Sequence, residues 1–186
     1  DGEVPFPDDI NDVSKFPNSL RWIDLAENNI QVLGDTSHLV DVELLDISKT
    51  NITTLSCIPS NCKVVAIGVP KLQISDSIKR IQMDGEVFYH QRQNIQHLEE
   101  LDLRLAFSDF LHYQKDIPSL RERFEKEDLR DLTRLKTLWI CGNNLQSPPL
   151  LPSKSLQKLL CRGNNFTERD NPNPIFLKTE SFDNLQ

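Results

Sequence analysis

The chain reads as an α/β protein built as a repeat solenoid, with short parallel strands stacked side by side and irregular or short helical segments returning between them. Three observations predict this. An apolar frame recurs along the chain, its copies keep a near-constant spacing, and a short segment bearing proline precedes several of them.

The first copy runs Leu20-x-x-Ile23-x-Leu25-x-x-Asn28-x-Ile30-x-x-Leu33. The second, Val42-x-x-Leu45-x-Ile47-x-x-Thr50-x-Ile52-x-x-Leu55, keeps every apolar site and places Thr50 where the first has asparagine. The third, Cys62-x-x-Val65-x-Ile67-x-x-Pro70-x-Leu72, has proline there. Ile78-x-x-Ile81-x-Met83-x-x-Glu86-x-Phe88 is poorer, and Leu98-x-x-Leu101-x-Leu103 fits only over its strand half. The full frame returns at Leu135-x-x-Leu138-x-Ile140-x-x-Asn143-x-Leu145 and at Leu156-x-x-Leu159-x-Cys161-x-x-Asn164-x-Phe166.

Measured at the second apolar site, the steps are 22, 20, 16, 20, 37 and 21 residues. The step of 16 is short and marks the fourth copy as a candidate for mis-framing, while the step of 37 contains an insertion. Each x-L-x-L core is a short strand with alternate residues pointing inward. One copy cannot bury its apolar face alone, so neighbours stack and share a continuous core. The insertion spans 106–132; Pro118 can open a helix, Ser119-x-x-Glu122 fits a capping box, and Leu120 and Phe124 share one helical face. It either pads the side opposite the strands or protrudes toward a partner. Stacked repeats expose core at both ends, so residues 1–19 and 169–186 are the candidate N- and C-terminal caps.

The frame L-x-x-L-x-L-x-x-N-x-L resembles the leucine-rich repeat, over about residues 20–168. "FPNSL", "IPSNC" and "LPSKSL" resemble the short bacterial-effector subtype, whereas "NIQHLEELDL" and "LRDLTRLKTLWI" resemble the longer intracellular one. The resemblance implies a right-handed solenoid of about seven repeats, with a concave parallel β-sheet and an irregular or short-helical convex side. It also implies that the frame asparagine turns inward to bond backbone groups, so the copies with Thr50, Pro70 or Glu86 are expected to be distorted. The cysteine-rich caps of extracellular members are missing, which implies an intracellular protein.

Composition narrows the function classes. The chain has 186 residues, a net charge of -7 and a pI near 5.1, which argues against phosphate neutralisation of nucleic acid and favours a basic partner surface. No apolar run reaches the roughly 18 residues that span a bilayer. The start at Asp1-Gly2 reads as a piece of a longer chain or a processed product. Cys57, Cys62, Cys141 and Cys161 form no CxxC pair and read as free thiols. Two sequons, at Asn51 and Asn165, permit a secreted context. His38, His90, His97 and His112 lie in different segments with no nucleophile placed beside them, and no glycine-rich phosphate loop is present. Neither catalysis nor a cofactor or metal is expected. Cys141 faces outward, with nothing basic adjacent in sequence to activate it.

Function should then lie on the outward strand positions. One row across the sheet reads Trp22, Leu44, Val64, Arg80, Glu100, Thr137, Lys158; a second reads Asp24, Asp46, Ala66, Gln82, Asp102, Trp139, Leu160. Trp22, Leu44 and Val64 form an apolar cluster at one end, and Trp139 with Leu160 another. Asp24 and Asp46 form an anionic patch for a basic group, and Arg162 completes the candidate partner-binding set. Either a partner or a cap covers these clusters. The expected function is protein binding by a scaffold or recognition module of a larger intracellular protein. The alternatives are the substrate-recognition domain of a ubiquitin ligase or secreted bacterial effector and, third, a receptor ectodomain.

Overall fold

The computed structural model describes residues 13–108 and 117–166. Seven short strands pair into one sheet: β1 (Trp22–Asp24), β2 (Leu44–Asp46), β3 (Lys63–Ala66), β4 (Arg80–Met83), β5 (Glu100–Asp102), β6 (Thr137–Trp139) and β7 (Lys158–Leu160). Their order in the sheet is their order in the chain, and every pair is parallel. Parallel neighbours require each connection to travel back the length of a strand before the next begins. Most of these returns are irregular. Two carry helices: α1 (Gly85–Gln91) with a following 3-10 turn lies between β4 and β5, and α2 (Ile117–Glu125) lies between β5 and β6. No strand enters the sheet between β5 and β6 among the described residues, so the long step is an excursion from the sheet.

One residue near the middle of each of the first six strands points into the core, and Leu159 of β7 is partly buried against it. Ile23, Leu45, Val64, Ile81, Leu101 and Leu138 are buried, and so are Leu25, Ile47, Ala66, Met83, Leu103 and Ile140, each two residues further on. Here the expected frame is corrected at β3. Val64 is 0% exposed and pairs with Leu45 and Ile81, so it is a core residue and no part of the outward apolar cluster. Ala66 also turns inward, and the outward places pass to Lys63 and Val65. The run Val64-Val65-Ala66-Ile67 is apolar on both parities, so alternation does not choose between two registers one residue apart. With Val64 as the marker, the short step to Ile81 lengthens by one residue; the mis-framed copy is the third, not the fourth.

The turn after each strand repeats as well. Glu27, Lys49, Gly68, Leu105, Gly142 and Gly163 occupy the same frame position, and all have φ between 55° and 75°. At β4 that position is Gly85, where α1 begins; a Cβ there would lie 2.6 Å from the Phe107 ring, so glycine is required by close approach. The next frame residue closes the turn. Asn143 is fully buried; its Nδ2 donates to the carbonyls of Leu103 (2.8 Å) and Ile140 (3.0 Å), and its Oδ1 accepts from Phe107 N (2.9 Å). Asn164 repeats this with Ile140 and Cys161. The expected distortion at Thr50 does not occur: its hydroxyl donates to Ile47 O at 2.7 Å and the left-handed turn at Lys49 is kept. The β4 copy does depart from the frame, because Asp84 caps α1 by accepting from Val87 N at 2.9 Å.

Helix α2 is part of the core rather than a free projection. Phe124 is buried and stacks on Phe107 with centroids 4.5 Å apart, and both rings meet Phe88 of α1 edge-on. Leu120 is partly buried on the same face. Ser119 lies inside α2, so it does not cap the helix as expected. Arg92 binds the segment after α2 through Glu127 at 2.9 Å and Asp131 at 2.6 Å. Of the expected caps, residues 1–12 and 169–186 lie outside the described residues, as do 109–116 of the insertion; Val13 is buried at the β1 end of the core.

Candidate protein-binding face

Register defines the outward face of the sheet. One row reads Trp22, Leu44, Lys63, Arg80, Glu100, Thr137, Lys158, and the next Asp24, Asp46, Val65, Gln82, Asp102, Trp139, Leu160. Neighbours in a row are about 4.8 Å apart. The structure therefore brings together Trp22 with Leu44, Asp24 with Asp46, and Trp139 with Leu160, and leaves Val64 out.

The β1–β2 end is open. Trp22 is 75% exposed and Leu44 half-buried. Asp24 and Asp46 also have a local role that sequence spacing did not disclose. Ala26 N donates to Asp24 Oδ1 at 2.9 Å, and Ser48 N donates to Asp46 Oδ1 at 2.8 Å. Such a bond to the backbone two residues on holds the chain as it leaves the strand. Arg104 N makes the same bond to Asp102. The recurring triplet Asp-Leu/Ile-x after each of these strands is the signal in the sequence.

The β3–β7 part is densely paired. Asp102 is 0% exposed although it lies on the outward face, because charged neighbours close over it. Arg104 meets it through Nη2 at 2.8 Å, and Lys63 reaches across from β3 to 2.6 Å. Burial pushes the Asp102 carboxyl up, but the bonds from Arg104 and Lys63 together outweigh it and hold the group below the usual 3.8. Arg80 meets Glu100 at 3.1 Å. Trp139 is half-buried among cations: Arg104 Cζ lies 4.8 Å from its ring centroid, Lys158 Nζ 5.2 Å and Lys63 Nζ 5.9 Å. Its Nε1 is buried with no hydrogen-bond partner.

A third row follows in the turns. Leu105 N donates to Cys141 O and Gly142 N to Arg162 O, which sets Arg104, Cys141 and Arg162 side by side. The sequence shows nothing basic beside Cys141; the fold supplies an arginine on each side. Lys63, Asp102, Arg104 and Lys158 are the residues that sequence reasoning did not select. Asp102 and Lys158 stood in the outward rows, but nothing local identifies Lys63 as the partner of a residue 39 positions away.

A groove of about 690 Å³ lies between the β3–β4 and β4–β5 connections and is lined by residues that include Gln73, Gln91, Gln93, Asn94, Gln96 and His97. His97 Nδ1 is 3.2 Å from the Asp76 carboxylate, and burial draws the imidazole pKa down. These amides donate and accept hydrogen bonds but bring no nucleophile into the groove. Among the described residues no group of three or more His, Cys, Asp or Glu is placed to hold a metal ion, and no helix is long and apolar enough to cross a membrane.

Comparison with known proteins yields no match to a family model, a curated protein or a solved structure.

Proposed function

We propose that the chain is a non-catalytic protein-binding module: a right-handed leucine-rich-repeat solenoid whose concave face is the outward face of the sheet, within a larger intracellular scaffold or recognition protein. The observation that carries this reading is Trp22, a large aromatic side chain standing exposed beside Leu44 on a surface of paired strands. Exposed aromatic clusters are where protein interfaces concentrate their binding energy. A face built on paired strands needs little reordering to bind, so less of the contact energy goes into ordering side chains and loops. The recurring frame, the left-handed turn residue and the inward Asn143 support the repeat reading.

Affinity capture with wild type and Trp22→Ala tests this function. The expected outcome is loss of the captured partner with an unchanged melting temperature. An undiminished capture, or turnover by the isolated chain, would contradict the reading. A role as the recognition domain of a ubiquitin ligase or effector remains the second reading, favoured by the irregular, proline-bearing returns before β3 and β7.

A further inference from the structure

The geometry points to the β5–β7 half of the outward face as a docking surface for an acidic protein segment, one that presents carboxylates to Lys158, Arg162 and Arg104 and lays an apolar residue on Trp139 and Leu160. This rests on the protein-binding reading and specifies the partner's chemistry for that half of the face.

Three observations carry it. The first is the local balance of charge. The whole chain is at -7, which by itself favours a basic partner. On this part of the face the balance reverses. Three cations, Lys63, Arg80 and Arg104, share two carboxylates: Asp102 takes Lys63 and Arg104, and Glu100 takes Arg80 with Lys63 4.0 Å away. Lys158 and Arg162 are exposed and meet no carboxylate among the described residues. The second is the grouping of Arg104, Lys63 and Lys158 around one indole. A ring quadrupole attracts each cation but does nothing to offset their mutual repulsion, and an arriving anion does. The third is Trp139 Nε1, a covered donor with no acceptor. A buried unmatched donor costs about 1–3 kcal/mol, and an arriving carboxylate is the acceptor this ring lacks.

The other end of the face sets the direction. Asp24 and Asp46 lie side by side on β1 and β2 and repel an acidic segment, so its carboxylates belong over β6 and β7. A nucleic acid fits less well. Its phosphates form a continuous track, and the cations here are confined to one end of a chain of net negative charge.

The test uses the full chain with Trp22→Phe, so that Trp139 is the sole tryptophan. A short synthetic peptide of glutamates around one phenylalanine is titrated while the Trp139 emission is followed; the same peptide with lysines, and inorganic polyphosphate, are the comparisons. The expected result is a saturable emission change with the glutamate peptide alone, weakened by added salt. Lys158→Glu with Arg162→Glu should weaken it about tenfold. Lys49→Glu with Lys71→Glu, the same charge change elsewhere, should leave it intact. No saturable change, equal loss in both double variants, or polyphosphate binding as tightly as the peptide would each overturn the inference. So would sedimentation showing that the peptide-free chain dimerises through this patch, since the occupant is then a second copy. If the peptide fails while Trp22→Ala still abolishes capture of a partner, this inference falls and the protein-binding reading stands.

Discussion

Trp22 and Trp139 both stand on the outward face of one sheet, yet their surroundings differ. Trp22, on the first strand, has Leu44 on one side and solvent on the other, and is 75% exposed. Trp139, between β5 and β7, is half-buried under side chains from β3, β7 and the turn after β5. The aspartates show the same contrast. Asp24 and Asp46 hold their own turns and otherwise face water, whereas Asp102 makes the identical turn bond and is also the buried anchor of Arg104 and Lys63. Position in the frame decides which way a side chain points. Neighbours on adjacent strands decide whether it is a free contact or part of the fold.

The contrast can be broken by equal substitutions at matched positions. The largest effect is expected for Asn143→Ala. It leaves two carbonyls and one N–H without their partner in the core, at about 1–3 kcal/mol for each group, so the urea midpoint should fall steeply. Asn28→Ala, at the exposed end with bonds only to Leu25 O and Ala26 O, should fall far less. Next is Asp102→Asn, which keeps the shape and removes the charge. A loss of about 2–3 kcal/mol is expected, below the value for a fully buried pair because Arg104 reaches solvent. Asp24→Asn and Asp46→Asn should leave the midpoint where it is; equal losses at all three sites would reduce Asp102 to a turn residue.

The pH dependence follows from the same carboxylate. Because its folded pKa is depressed, the stability that Asp102 contributes is complete above its unfolded value of 3.8 and is lost as pH falls through the lower folded value. The stability difference between wild type and Asp102→Asn should therefore be constant above about pH 4 and shrink as the pH falls further. Third, Trp139→Ala should cost about 2 kcal/mol through lost packing and cation contacts, while Trp22→Ala should change stability by less than about 0.5 kcal/mol. Gly142→Ala should cost about 1–2 kcal/mol, since φ is +70° and Leu105 Cδ2 would lie 2.6 Å from the new Cβ.

Much of the architecture could be read from periodicity. Six of the seven strands fall in the register of the apolar frame, because burying every second residue leaves a mark that tertiary structure does not erase. Where that mark is ambiguous, at Val64-Val65-Ala66-Ile67, both parities are apolar, and only pairing with β2 and β4 fixes the register that turns Val64 inward. Helix α1 is hidden for another reason: Phe88 serves a helical return as well as it serves the repeat frame, and only the Asp84 cap distinguishes the two. The face was legible in part. Trp22, Leu44, Asp24 and Asp46 follow from alternation alone. The set around Trp139 joins β3, β5, β6 and β7, and no local pattern reports which long cation reaches which carboxylate.

The central claim is that the outward face of the sheet, and no other surface, receives a protein partner. Site-specific photo-crosslinking tests it most directly, with the photoreactive residue placed singly at Trp22, at Leu160 and, as a control, at Val32, which is exposed in the β1–β2 connection. The account predicts that one partner is captured from positions 22 and 160 and none from 32. Capture from position 32, with nothing from the two face positions, would contradict it.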